Sequence, residues 1–253
     1  MLKLYHAEPV ANSLKTLISL KEKGLEFQSI YINLHKFEQH EPWFIAVNPE
    51  AQVPALDHDG QVITHTTVIA EYLEDAFPDA PPLRPSNALG KARMRYWNKF
   101  VDEHVMEYVS MHGWHRMVSV IARSITNGEF EKLMERVPLP RQREKWSKAR
   151  AGFSEADLAN ATRKIEQAVD KVEARLAQSP WLAGDAYTLA DINLYAVGGM
   201  ALSRLFPELD VPRRAPRLTE WVARVSERPG VTAAFAMPNH TDPMLRTFTG
   251  EAR

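Results

Sequence analysis

The stretch Gln52-Val53-Pro54-Ala55-Leu56 is the part of the sequence best suited to holding an extended ligand. A residue before proline is restricted to extended conformations, so Val53 is held like a strand residue. Pro54 also offers the common route to a cis peptide bond. A hairpin signal follows in Asp57-His58-Asp59-Gly60, and Gln61-Val62-Ile63-Thr64 reads as the returning strand. Backbone groups at Val53 are then free to pair with a ligand as an added strand would. An ordinary proline at a strand start accounts for the same residues. His112 and His115, at i and i+3, could share a metal, yet no third ligand lies nearby in sequence. Partly exposed polar positions beside an aromatic cluster explain that pair. Glycine-rich dinucleotide and phosphate loops, HExxH and a GxSxG elbow are all missing. The sequence has no cysteine, which excludes disulfides, thiolate zinc and a cysteine nucleophile. Any thiol chemistry must therefore use a sulfur that a ligand brings.

The elements that would position these residues follow from periodicity. Leu2-Lys3-Leu4-Tyr5 alternates as a strand. A helix begins near Ala11-Asn12-Ser13, with Leu14, Leu17, Ile18 and Leu20 on its buried side and Gly24 as its stop. Gln28 to Ile32 is a second strand. Phe37, Trp43 and Phe44 are spaced as on a short helix that ends at Asn48-Pro49. The hairpin comes next, then a helix over 66–77. Strand, helix, strand, helix, strand, strand, helix predicts an α/β layer of mixed strand direction. Pro78 to Pro85 is a linker, after which strand signals vanish. Helical patterns over 88–125, 154–178, 188–203 and 216–227 predict an all-helical second domain. The expected division is 1–79, a linker at 80–87, and 88–253.

Charged residues make up 25% of the chain and apolar ones 45%, the balance of a soluble globular protein. Basic and acidic totals of 31 and 32 leave a formal net charge of −1, so nothing favours nucleic acid or an anionic membrane as partner. No signal peptide precedes the first strand, and the longest uncharged apolar stretch, Ile192 to Ser203, is too short to span a bilayer. A cytoplasmic protein is expected.

Taken together, these features resemble the cytosolic glutathione transferase family. Asn48-Pro49 ahead of Gln52-Val53-Pro54-Ala55-Leu56 is similar to its thioredoxin-like glutathione domain. Trp181-Leu182-Ala183-Gly184-Asp185 followed by Thr188-Leu189-Ala190-Asp191 is similar to the helix-start motif of its helical-bundle domain. Thr188 and Asp191 form a capping box that nucleates the helix and need take no part in a site. Within the family, several segments look like the bacterial β-etherases. They are Ala11-Asn12-Ser13-Leu14-Lys15, Glu22 to Phe27, Lys36 to His40, Trp43-Phe44, and the insertion running from Val137 to Phe153. In that branch glutathione cleaves β-aryl ethers of lignin-derived dimers.

The resemblance implies glutathione as co-substrate, a hydrophobic aromatic electrophile, no metal, and a homodimer. Thiol ionisation needs stabilisation near neutral pH. Ser13, with Asn12 beside it, stands where a hydroxyl and helix-start amides would supply that, although both residues also serve as plain helix caps. Tyr5 is an outside candidate. Val53, with Pro54 and Gln52, would hold the cysteinyl unit, and the helix start at His65-Thr66 the γ-glutamyl carboxylate. His65 departs from the acidic or amide residue usual in the family and cannot neutralise the γ-glutamyl ammonium. His40 and Gln39 would hold the glycyl carboxylate. Asp102 or Glu103 would reach the γ-glutamyl group across a dimer interface. Met111, Trp114, His115, Met117 and Trp146 form an aromatic and methionine-rich set that either lines the electrophile pocket or belongs to the core. Two alternatives stand beside ether cleavage: another glutathione enzyme (a general transferase, isomerase or dehalogenase), and a non-catalytic binding protein.

Overall fold

Alternating burial along Leu2–His6 (β1) makes it an inner strand with Leu2, Leu4 and His6 on the covered side. The computed structural model, which describes residues 1–199 and 201–237, places β1 inside a four-stranded sheet of order β2-β1-β3-β4. Phe27–Tyr31 (β2) runs parallel to it, Leu4 opposite Ser29; Ala55–His58 (β3) runs antiparallel, Leu4 opposite Leu56. Gln61–Thr64 (β4) closes the hairpin and leaves an outer edge. Helix α1 (Ala11–Glu22) crosses between the parallel strands and buries Leu14, Leu17, Ile18 and Leu20. The mixed α/β layer expected from the sequence is present.

Residues 34–48 differ from the expected single short helix. Tight turns at Leu34–Lys36 and Glu38–His40 are separated by Phe37, whose left-handed φ of 59° breaks the run before α2 (Pro42–Val47). Phe37, Trp43 and Phe44 consequently point to different places: Phe44 is buried against Tyr5, while Trp43 is exposed. The hairpin leads into α3 (Thr66–Ala76). The linker beyond it is pinned rather than loose. The buried Glu74 carboxylate accepts from Lys23 Nζ at 2.8 Å and from the Leu83 N–H at 3.2 Å, and the next helix starts only after Asn87, its cap.

The expected helix over 88–125 is a chain of segments. It comprises α4 (Ala88–Phe100), a π-turn (Val101–Val105), α5 (Met106–Gly113), a second π-turn (Trp114–Val118) and α6 (Ser119–Ser124). The insertion is itself helical, as α7 (Asn127–Arg136) and α8 (Pro140–Ala151). Then come α9 (Glu155–Leu176), α10 (Leu189–Leu194) with a π-turn at Tyr195–Gly199, α11 (Ala201–Leu205), α12 (Val211–Arg214), α13 (Pro216–Ser226) and α14 (Pro229–Phe235). Asp191, fully buried, caps α10 through the Thr188 N–H at 2.9 Å and also takes the Trp221 Nε1–H at 3.1 Å.

One core runs from Leu4 and Leu17 under the sheet to Trp97, Ile165 and Trp221 among the helices. A smaller one gathers Phe37, Ala122, Phe130, Trp146 and Ala149 beneath the insertion. Helix α14, unread in the sequence, packs along α1: Arg228 makes a two-pronged pair with Glu22 at 2.8 and 2.7 Å. A Cβ on Gly230 would stand 2.6 Å from Glu22 Cγ, so only glycine allows this approach. Among the described residues no helix is long and apolar enough to cross a membrane.

Candidate functional site

Helix α1 begins on an abrupt reversal. Val10 is extended, and Ala11 adopts a left-handed φ of 45°, a strained value for a residue with a Cβ. No side chain caps α1, so its first-turn amides lack intrahelical partners at the positive end of the helix dipole. Asn12 lies on this turn and lines a cavity of about 270 Å³. Ser13 sits behind that wall at 4% exposure, its Oγ accepting the Ala7 N–H at 3.0 Å. The bond fixes the hydroxyl and leaves its proton available for donation.

The turn before β3 forms a second wall, organised by Asn48. Its Nδ2 donates to the Gln52 carbonyl at 2.7 Å and its Oδ1 accepts the Glu50 N–H at 3.1 Å. The Val53–Pro54 peptide bond is cis. Asn48, Glu50, Gln52, Val53 and Pro54 all line the cavity. Gln52 Nε2 is buried with no hydrogen-bond partner among the described residues, a donor left over for a ligand.

The start of α3 supplies the third wall through Thr64, His65, Thr66 and Thr67, again with no side-chain cap. Two helix N-termini therefore meet on one cavity, which suits anionic groups. Carboxylates meet there as well. Asp102 Oδ1 accepts from Lys15 Nζ at 2.9 Å and Asn193 Nδ2 at 3.2 Å, while its Oδ2 accepts the Thr67 hydroxyl at 2.8 Å. Burial pushes the Lys15 pKa down, against the pull of Asp102. Glu50 Oε2 lies 3.8 Å from His65 Nε2. Donors for anions and acceptors for an ammonium share one space, so the cavity fits a zwitterionic peptide.

Of the residues singled out in the sequence, Asn12, Gln52, Val53, Pro54, His65, Thr66 and Asp102 come together here. Asp102 lines the cavity of its own chain, and Glu103 instead pairs with Lys99 on an exposed helix face. Gln39 and His40 lie outside the lining, buried in the turn after Phe37, with Gln39 Oε1 and His40 Nδ1 unpartnered among the described residues. Burial, and then the nearby Arg136 guanidinium, lower the His40 pKa to about 4, so the ring is neutral. Tyr5 meets Phe44 edge-on at 5.9 Å and is not in the lining.

The aromatic set separates. Trp146 is buried in the smaller core between Phe37 at 5.0 Å and Trp114 at 5.2 Å. His115 meets Phe153, and neither it nor Met111 nor Met117 lines the cavity. His112 turns its Nε2 to the Leu158 carbonyl at 3.2 Å. Among the described residues no three metal-ligating side chains gather. Lys15, Asn48, Glu50, Thr67 and Met106 line the cavity but were not expected; only Asn48, beside Pro49, carried a local signal.

The model of the glutathione S-transferase N-terminal domain matches residues 1–75, and that of the C-terminal domain residues 152–224. Protein LigF of Sphingobium sp. strain SYK-6 is 41% identical over 250 residues, 97% of each chain. The crystal structure of the β-etherase LigF from that strain superposes with a TM-score of 0.90 over 94% of this chain and 99% of its own. Glutathione S-transferase 2 of Saccharomyces cerevisiae is 29% identical over 217 residues, covering 85% and 81% of the two chains. Glutathione transferase F7 from Populus trichocarpa shares the fold at 23% identity, with a TM-score of 0.73 over 94% and 100%.

Proposed function

The chain belongs to the glutathione S-transferase family, and from that premise we propose that it uses glutathione to cleave β-aryl ethers of lignin-derived aryl ketones. The observation that carries this reading is the full-length likeness, in sequence and in fold, to the β-etherase LigF. The cavity supports it with the groups that glutathione requires. The γ-glutamyl carboxylate belongs at the amides of Thr66 and Thr67, and its ammonium between Glu50 and Asp102. Those two carboxylates replace the acid missing at His65. The peptide backbone pairs with Val53, beside the free donor of Gln52. Gln39 and His40, buried behind the lining in the turn after Phe37, are assigned to the glycyl end, where a neutral imidazole still offers one N–H.

Asn12, the Ser13 hydroxyl and the first-turn amides of α1 hold the thiolate. It attacks the carbon that bears the aryloxy group next to the ketone; a C–S bond forms, the C–O bond breaks, and the electron pair leaves on the aryl oxygen. The carbonyl activates that carbon, and fixing both reactants in one orientation is the main gain. A cytoplasmic homodimer is the assembly that family membership supports. Its self-association face falls on the sheet edge and the helices next to it, where Val62, Val68, Leu89 and Tyr96 are exposed.

Phenol release from a fluorogenic β-aryl ether ketone tests the reading. Release should require glutathione, and Ser13→Ala should lower kcat/KM by about 10²-fold, the loss typical of one donor to a developing anion. Glutathione-dependent release that survives the substitution would move the thiolate to Asn12 and the backbone. A protein that binds glutathione and releases no phenol would leave the family membership without the ether activity.

A further inference from the structure

Lys145 is a polar group that the reading above leaves unused. It lies on α8 of the insertion, and its ammonium donates to Ser110 Oγ at 2.7 Å while standing over the Trp114 ring, 4.4 Å from the centroid. Both partners belong to the helical run that passes the glutathione cavity. Met106 lines that cavity, Ser110 follows four residues later and Trp114 four after that, so the three form one stripe along the helix. Four residues rise about 6 Å, so Ser110, which Lys145 contacts, stands about one turn along the helix from the cavity wall at Met106. The groups that face it are few: Glu107, Arg141, Ser110 and the Trp114 ring. Among the described residues its ammonium makes no ion pair within salt-bridge distance, unlike Lys15 and Lys23, which each hold a carboxylate.

We propose that Lys145 is the general acid of the ether cleavage, giving its proton to the departing aryl oxygen at the outer end of the cavity. The proposal rests on the β-etherase reading. As sulfur bonds to carbon and the C–O bond breaks, the electron pair moves onto the aryl oxygen and takes a proton from the Lys145 ammonium. Phenol leaves, and the amine regains a proton from solvent, where the thiol's own proton went on ionisation. Thiol and ether thus become thioether and phenol with nothing left over. Ser110 fixes the direction of the amine, and the ring face of Trp114 steadies its charged form before transfer. Enclosure of the amine supports this role. Burial, only partly offset by Glu107 and reinforced by Arg141, lowers its pKa to about 8, below the roughly 10 of a phenol hydroxyl, so transfer runs downhill.

A series of aryl ether ketones that differ only in the leaving phenol, from unsubstituted phenol to 4-nitrophenol, tests the proposal. For Lys145→Gln, kcat/KM should fall about 10²-fold or more with the phenol ether and within about threefold with the nitrophenol ether, which needs no acid. The dependence of rate on leaving-group pKa should therefore steepen, with glutathione affinity by calorimetry unchanged. Equal losses across the series would mean that Lys145 only braces the insertion, and would overturn the proposal. If Lys145→Gln does not fold, Lys145→Arg carries the same test, because it keeps the charge but does not release a proton. Wild type that binds glutathione yet cleaves no ether in the series would remove the β-etherase reading and this proposal with it. Wild type that cleaves them, with variants of unchanged slope, would remove only the proposal.

Discussion

His40 carries an acid sensitivity that follows from its burial. Its pKa of about 4 lies below the ordinary 6.5, so the unfolded chain takes up the proton first as pH falls. Stability from this group is complete above about pH 6.5 and lost progressively down to about pH 4. His40→Gln should make the fall of unfolding free energy over that range shallower by about one proton, as read from urea titrations at several pH values. An unchanged slope would show that His40 is solvated in solution. At this scale the sequence exposes residues whose role is local. Val53 and Pro54 are constrained by each other, and Asn12 and Thr66 stand at helix starts. Lys15 and Glu50 were illegible because they act through convergence: each is an ordinary charge in its own segment, and only the fold brings them to Asp102 and His65.

Elements were legible wherever an apolar period or a cap announces them. The Thr188–Asp191 box is formed as its spacing predicts, and α1, α3 and the hairpin lie where periodicity places them. Helix α8 gave no such signal. Of its twelve residues only Trp146 and Ala149 are buried, so its position comes from one docked ring rather than from a stripe. That ring also backs the turn of Gln39 and His40, because Trp146 packs on Phe37 while Arg136 of α7 donates to the His40 carbonyl at 3.2 Å and to Glu41 at 2.6 Å. Trp146→Ala should cost about 3 kcal/mol in denaturant unfolding. It should also weaken glutathione binding, since the turn of Gln39 and His40 loses its backing. Weakened stability with intact affinity would show that the turn holds itself. The π-turns at Val101–Val105 and Trp114–Val118 were equally hidden, since one extra residue in a turn leaves the surrounding apolar pattern almost unaltered.

For the whole molecule, the apolar side chains exposed on β4, α3 and α4 count as a contact surface only if a second copy covers them. Sedimentation of wild type should give a dimer, and Val68→Glu combined with Leu89→Glu a monomer. A wild-type monomer at every concentration would remove that surface from the account. The end of the strand-bearing segment was legible at Pro78 to Pro85, and among the described residues no strand follows that proline cluster. The continuity of the core across it was not, because burial shared between distant segments leaves no mark in either one.

The closure of α14 on α1 ties the two ends of the described chain together, with Arg228 and Glu22 separated by 206 residues. On the ribosome the order of manufacture therefore opposes the order of support. Helix α1 emerges early, and the helix that braces its outer side almost last. A message cut anywhere between codons 106 and 229 would encode the cavity-lining residues in full, yet yield a chain whose α1 lacks that outer brace.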